Sequence, residues 1–252
     1  MAQTAIEWTE ATWNPSAGCT KISAGCKNCY AESMAIRLQA MQVEGYENGF
    51  RFNTVPGRLH DPLNRKKPTV YFVNSMSDIF HEDMHEEYLD SIFDVIAKTP
   101  RHVYQILTKR AGRMYSYLDN RFIPKNIWLG VTVENKKDGL PRIDQLRKLN
   151  ATVLFLSVEP LLEDLGKINL QNIDWVIVGG ESGNKARPME ADWVMNIKAQ
   201  CEAENIAFFF KQWGTWGADK IKRNKKENGK TLNGKIWQQY PVQIRKEQLT
   251  AI

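Results

Sequence analysis

Asp174-Trp-Val-Ile-Val178 runs without a break into Gly179-Gly-Glu-Ser-Gly183, and the same pattern recurs along the chain. Thr69-Val-Tyr-Phe-Val-Asn74 runs into Ser75-Met-Ser-Asp78, and His102-Val-Tyr-Gln-Ile-Leu107 into Thr108-Lys-Arg110. Asn126-Ile-Trp-Leu-Gly-Val-Thr-Val133 runs into Glu134-Asn135, and Thr152-Val-Leu-Phe-Leu-Ser157 into Val158-Glu159-Pro160. Ile206-Ala-Phe-Phe-Phe210 ends in Lys211-Gln-Trp-Gly214. Continuous apolar runs, unlike alternating ones, suit parallel strands covered on both faces. Segments of helical period lie between most of them: Tyr30–Val43, Glu86–Ala97, Leu140–Leu149 and Trp193–Glu204. Strand and helix in alternation read as repeated βα units.

Six full strands, with a short one near Ala11–Asn14, predict an α/β fold of the partial (βα)6-type, TIM-like barrel class. An open doubly wound sheet is the alternative. Residues 1–214 are expected to form the barrel and 215–252 a basic C-terminal extension, with Trp237 and Tyr240 as anchors. Residues 47–68 read as an irregular insertion. In such barrels the reacting groups sit on the loops after the strands. The candidates from the strand exits are Ser75, Ser77, Asp78, Lys109, Arg110, Glu134, Glu159, Glu181, Lys211 and Gln212. Charged residues also follow strands simply because the chain meets water there.

The 252 residues are 42% hydrophobic and 25% charged, enough apolar material for a full core and far from a disordered composition. No apolar run approaches the ~18 residues of a membrane span. The start, Met1-Ala-Gln-Thr-Ala-Ile-Glu-Trp8, has neither the basic nor the apolar region of a signal peptide. The expected setting is the reducing cytoplasm. There, thiols clustered in sequence bind metal more often than they oxidise.

Three of the four cysteines fall in Gly18-Cys19-Thr-Lys-Ile-Ser-Ala-Gly-Cys26-Lys-Asn-Cys29-Tyr30, a C-x6-C-x2-C spacing. A helix is expected right after Cys29, and its N-terminal dipole favours anionic ligands there. A structural zinc takes four closed ligands, and an ordinary electron-transfer iron–sulfur cluster takes four cysteines. Three thiolates without an evident fourth suit a cluster with one open iron. The other readings are free thiols, or a zinc completed by a histidine. Cys201 lies inside a predicted helix between Ala199 and Ala203 and reads as a buried structural thiol.

A three-cysteine cluster in the first loop of a βα barrel resembles the radical S-adenosylmethionine superfamily. The usual spacing there is C-x3-C-x2-C with an aromatic before the third cysteine, whereas here the first gap is six and Tyr30 follows the third. A closer resemblance covers nearly the whole chain. Ile6-Glu-Trp-Thr-Glu-Ala-Thr-Trp-Asn-Pro15, the cysteine segment, Ser75-Met-Ser-Asp-Ile-Phe-His81, Leu107-Thr-Lys-Arg110, Ser157-Val-Glu-Pro-Leu161, Gly179–Gly183 and Phe209-Phe-Lys-Gln-Trp-Gly214 are similar to the phage-associated three-cysteine-motif family. This resemblance implies a radical-SAM-like barrel, encoded by a phage or prophage and at work in the host cytoplasm.

It also implies that Cys19, Cys26 and Cys29 hold a [4Fe–4S] cluster, with S-adenosylmethionine as second cofactor and an external electron donor. Asn74, Ser75 and Ser77 would approach the methionine amino group. Thr132 or Glu134 would meet the ribose, and Gly179 and Gly180 would let backbone come close to the adenosine. Asp78, Lys109, Glu159 and Glu181 would handle substrate.

Three further signals need weighing. His81-Glu-Asp-Met-His85 fits the H-E-x-x-H zinc pattern, but that motif needs both histidines on one helix. Here a helix is expected to begin only near Asp83. Gly179–Gly183 matches neither a Walker loop nor G-x-G-x-x-G, so a phosphate cradle aided by Arg187 stands beside a plain tight turn. Lys220–Lys235 carries seven Lys or Arg against Glu227, a net +6 that exceeds the whole chain's +5 and leaves the remainder at about −1. It reads either as a solvated, mobile loop or as a contact to the phosphates of a nucleic acid or nucleotide. The readings left open are a radical-SAM-type enzyme acting on a substrate such as a nucleic-acid base, and a zinc-stabilised binding protein without catalysis.

Overall fold

The computed structural model describes residue 4 and residues 6–241. These divide into two compact units. The first holds the described residues up to Ile22, Cys29–Gly130 and Leu149–Thr152. The second holds Ser23–Asn28, Val131–Lys148 and the described residues from Val153 on.

The elements follow the expected alternation. In chain order they are β1 (Ala11–Trp13), β2 (Ser16–Ala17), α1 (Tyr30–Ala40), β3 (Asn53–Thr54), α2 (Asp61–Asn64), β4 (Val70–Val73), α3 (Glu86–Ala97), β5 (Val103–Thr108) and α4 (Ala111–Leu118). After these come β6 (Ile127–Thr132), α5 (Lys136–Leu146), β7 (Val153–Val158), β8 (Trp175–Gly179), α6 (Ala191–Ala203), β9 (Ala207–Gln212), α7 (Lys225–Asn228), β10 (Thr231–Leu232) and β11 (Lys235–Ile236). Seven strands share one sheet in the order β1-β4-β5-β6-β7-β8-β9, the α/β fold of the partial-barrel class. Such an order follows when each crossover lays the next strand beside the last.

In the first unit β4 pairs parallel with β1 (Ala11 with Tyr71) and with β5 (Val70 with Val103). Its core includes Trp13, Tyr71, Tyr104, Ile106, Leu89, Ile92 and Met114. In the second, β8 pairs parallel with β7 and β9, with a register shift at Val178/Gly179. Every residue of β7 and β8 is buried, as continuous apolar runs require.

Four departures from the sequence reading have physical causes. α4 escaped notice because its eight residues include Gly112, Ser116 and two tyrosines, although Ala111, Met114, Tyr117 and Leu118 are buried at helical spacing. α5 starts four residues early, because the Asn135 side chain accepts from the Asp138 and Gly139 amides and caps a polar first turn. α3 matches the expected Glu86–Ala97 segment and departs only from the start near Asp83 weighed for the histidine motif, with His85 as its N-cap. The 47–68 stretch is not wholly irregular: β3 pairs antiparallel with β2, and α2 follows.

The C-terminal segment to residue 241 packs in the second unit. The Phe210 amide donates to the Trp237 carbonyl (2.7 Å) and the Gln239 amide to the Phe208 carbonyl (3.1 Å), so this stretch covers the β9 edge. Tyr240 lies against Trp175 and Phe209, and the Lys198 ammonium sits 3.9 Å from the Trp237 ring centroid. The rest of the expected extension, 242–252, lies outside the described residues. No helix among them is long and apolar enough to cross a membrane.

Candidate functional site

The first unit builds its candidate site where β1, β4 and β5 end. Asn74, at φ 58°, takes the left-handed conformation that Asn tolerates. Its buried amide donates to Ser16 Oγ (2.7 Å) and accepts from the Ser16 amide (3.4 Å). Ser75 Oγ donates to Asn14 Oδ1 (3.2 Å), and Ser77 Oγ to the Gly18 carbonyl (2.7 Å). The Tyr30 hydroxyl donates to the Ser75 carbonyl. The β4 exit is therefore stitched to the segment that leads into Cys19. Gly18 is required there: at φ 74°, a Cβ would stand 2.1 Å from the Arg51 carbonyl oxygen.

Asp78 gathers donors beneath that segment. Its carboxylate accepts from Thr108 Oγ1 (2.8 Å), the Phe80 amide (3.0 Å), the Lys109 amide (3.2 Å) and Arg110 Nη1 (3.2 Å). Arg110 also donates to Glu82, to Thr20 Oγ1 (2.8 Å) and to Cys19 Sγ (3.5 Å). Burial works against the guanidinium's charge, but Glu82, Asp78 and Cys19 raise its pKa. Burial would raise the Glu82 carboxyl, yet the Arg110 contact holds it down at about 2.

His81 is fully buried and stacked on Phe52 at 4.1 Å. Its Nδ1 accepts from the Asp83 amide (3.1 Å), which leaves Nε2 to donate to Thr20 Oγ1 (3.0 Å). Burial, aided by the charge of Arg110, lowers the His81 pKa. Residues 81–85 precede α3 and do not lie on it, so His81 and His85 do not share a helix as an H-E-x-x-H zinc site requires.

The second unit holds Ser23–Asn28 with two more carboxylate–arginine pairs. Glu134, just past β6, is completely buried and accepts from Arg142 Nη1 (2.6 Å), from the Ser23 hydroxyl and from the Gly25 amide (3.4 Å). Arg142 also donates to the Thr132 carbonyl (2.7 Å). Glu181, just past β8, accepts from Arg187 Nη2 (2.5 Å) and from Asn28 Nδ2 (3.1 Å). Burial would raise the Glu181 carboxyl, but the Arg187 hydrogen bonds and Asn28 lower its pKa.

A third charged pair has a freer outlook. Lys211 Nζ lies 3.1 Å from Glu159 Oε1, with both side chains partly open to solvent. Glu159 leans over Gly179, where a Cβ would meet Oε1 at 2.4 Å. At Gly180 a Cβ would stand 1.9 Å from the Trp213 carbonyl oxygen. The protein's own groups thus already fill the space these two glycines provide.

The sequence family described as "Protein of unknown function (DUF5131)" matches residues 3–241. The chain belongs to that family. Among solved structures, the chain is similar to a spore photoproduct lyase complexed with dinucleoside spore photoproduct (14% identity, TM-score 0.48). That match covers 69% of this chain and 57% of the other. A mutant of that lyase with bound AdoMet and dinucleoside spore photoproduct is similar at 14% identity and TM-score 0.45, over 69% and 56% of the two chains. The chain thus spans little more than half the length of these structures. No curated protein sequence matches it.

Within this family member the three loop cysteines are partly exposed, Cys201 is buried, and none is in a disulfide. Burial pushes the Cys201 thiol up to about 12, with Glu204 and Glu202 adding. Among the described residues no three His, Cys, Asp or Glu side chains form a group that could hold a metal ion. Three partly exposed thiols are the ligand type and number that an iron–sulfur cluster with one open iron takes, and Cys19 Sγ accepts from Arg110 Nη1 (3.5 Å).

Sequence reasoning picked out Asp78, Glu134 and Glu181 but not Arg142 or Asn28 as their partners, nor Arg187 as partner to Glu181. Arg142 was hidden in a helix, eight residues from Glu134. Asn28 carried a readable signal, since it sits between two of the cysteines.

Proposed function

We propose that this protein is a radical S-adenosylmethionine-type iron–sulfur enzyme whose Cys19, Cys26 and Cys29 hold a [4Fe–4S] cluster. The observation that carries the reading is an eleven-residue stretch with three partly exposed thiols, met by the buried Asp78–Arg110 and Glu134–Arg142 pairs and by Glu181, whose partner Arg187 is partly exposed. A plain surface loop has no need of such support. When bound, the cluster would supply the electron that opens S-adenosylmethionine to methionine and a 5′-deoxyadenosyl radical.

The chain's own residues then divide by task. Asp78, Glu134 and Glu181 are positioning residues, because each carboxylate is already engaged by the cysteine loop or its arginine. Asn74, Ser75 and Ser77 shape the entry to the loop. Thr132, whose carbonyl Arg142 takes, and Gly179 and Gly180, whose open sides Glu159 and Trp213 fill, support the site by packing. To Glu159 and Lys211, paired and partly open to solvent, we assign the holding or moving of a proton on a substrate. Lys109, whose backbone amide donates to Asp78, keeps its expected part in substrate handling. The substrate class is a nucleic-acid base or nucleotide, in keeping with the resemblance to a phage-associated family.

Anaerobic purification and reconstitution with iron and sulfide test the reading. A brown protein absorbing near 400 nm is expected. With dithionite and S-adenosylmethionine it should release 5′-deoxyadenosine, and Cys26→Ala should lose iron and product together. A colourless protein carrying one zinc, or a Cys26→Ala variant that keeps its iron and its product, overturns it.

A further inference from the structure

The basic stretch at 220–235 is built, not loose. The Thr215 amide donates to the Glu181 carbonyl (2.9 Å), Trp216 Nε1 to the Ala186 carbonyl (2.7 Å), and Lys222 Nζ to the Asn184 carbonyl (2.6 Å). Asn228 Nδ2 donates to the Gly214 and Thr215 carbonyls (3.0 and 2.9 Å), and β10 and β11 close a hairpin over Asn233-Gly234, both at positive φ. The segment is folded onto the loop that leaves β8, the loop that carries Glu181 and Arg187.

Its cations differ in status. Lys220 pairs with Glu190 at 3.0 Å and Arg223 with Asp219 at 2.7 Å. Lys222 meets the Asn184 carbonyl and lies 6.0 Å from the Trp216 ring centroid, with no carboxylate partner among the described residues. Lys225, Lys226 and Lys235 are exposed and pair with no carboxylate among the described residues, and the same is true of Lys185 on the β8 loop. Glu227 is the one acid within the stretch. Uncompensated like charges on an ordered scaffold repel each other, and a polyanion relieves that repulsion by displacing counterions. Thr231, exposed on β10 among these lysines, carries a hydroxyl that suits a phosphate oxygen.

We infer that Lys185, Lys222, Lys225, Lys226 and Lys235 form a docking surface for the phosphodiester backbone of a nucleic acid. The inference deepens the proposed function by giving its substrate class a route of recognition. Binding needs no cluster, so its test stands apart from the test of the chemistry.

Fluorescence anisotropy of the full-length protein with labelled 20-nucleotide single-stranded DNA, duplex DNA and RNA measures it. About four neutralised phosphates weaken single-strand binding roughly 50-fold between 50 and 200 mM salt. Lys225→Gln/Lys226→Gln/Lys235→Gln should weaken binding at least tenfold at 50 mM salt and flatten the salt slope by about 2, with an unchanged circular dichroism melt. Glu227→Lys should tighten binding several-fold, a gain that misfolding cannot imitate. The arms separate DNA from RNA and single strand from duplex. No binding to any of them at 50 mM salt, or an unaltered slope in the triple variant, overturns the inference. So does a preference for vesicles containing 30% phosphatidylserine over every oligonucleotide. Binding without 5′-deoxyadenosine release would sink the proposed chemistry and leave this surface standing.

Discussion

Two carboxylate–arginine pairs hold parts of the same cysteine loop, and they are built differently. In the second unit Glu134 is completely buried and pairs with Arg142 at 2.6 Å, the one carboxylate within ion-pair distance of that arginine among the described residues. It binds the loop through Ser23 and the Gly25 amide, by backbone and hydroxyl, not by sulfur. In the first unit Arg110 has two carboxylates, buried Asp78 and mostly exposed Glu82, and reaches Cys19 Sγ directly. The Glu134–Arg142 arrangement is a buried anchor, with the arginine also held by the Thr132 carbonyl. The Asp78–Arg110 arrangement is a shared network in which the arginine keeps a counterion when one carboxylate is lost. A buried ion pair adds little net stability, but breaking one partner is costly. The two pairs should therefore fail by different amounts.

The largest effect is expected from Glu134→Ala. It strands Arg142 and frees the Ser23–Gly25 turn, at a cost of about 3–5 kcal/mol in urea unfolding. A loss below ~1 kcal/mol would mean water replaces the carboxylate and the anchor does not hold. Asp78→Asn comes next, at about 1–3 kcal/mol, because Arg110 retains Glu82 while the side-chain amide keeps only part of the four donor contacts. If Asp78→Asn proves costlier than Glu134→Ala, the distinction drawn here collapses. Glu82→Gln should cost under ~1 kcal/mol, because its side chain is 57% exposed and water screens the pair.

Acid separates the network from the anchor. His81, beside Arg110, and His102 both have lowered pKa values, caused first by burial. A histidine with a depressed folded pKa contributes stability that is full above its unfolded value, ~6.5. That contribution is lost as pH falls through and below it. Thermal melts should thus drop between pH 7 and pH 5, and His81→Gln should flatten part of that drop. A wild-type melt that does not change with pH would refute the neutral, buried imidazole.

Thiol access gives the smallest and simplest contrast. With iodoacetamide at pH 8 and no metal, mass spectrometry should find three cysteines modified quickly. Cys201 should stay intact until unfolding, because its thiol titrates at about 12. Rapid fourth-site labelling would contradict the burial of Cys201.

Much of the architecture was legible because buried parallel strands leave long apolar runs. Each of the seven main strands lies within about two residues of its expected place, since β7 and β8 are covered on both faces and tolerate no polar interruption. α4 and the start of α5 were not legible, because their signals are a short burial pattern and an Asn135 cap, neither of which is apolar periodicity. In the candidate site, the polar residues after the strands were readable one by one. Their pairings were not, since Asp78 meets Arg110 across 32 residues and Glu181 meets Asn28 across 153.

The chain's sequence by itself determined the alternation of strands and helices, the three clustered thiols and the local excess of lysine. These are properties of neighbours along the chain, set by period, composition and spacing. Only the tertiary structure decided which carboxylate each arginine meets, that Gly180 faces the Trp213 carbonyl, and which lysines pair with no carboxylate among the described residues. Those outcomes depend on contacts that chain folding brings together, and burial then makes each pairing obligatory, because an unpaired charge cannot be left out of water.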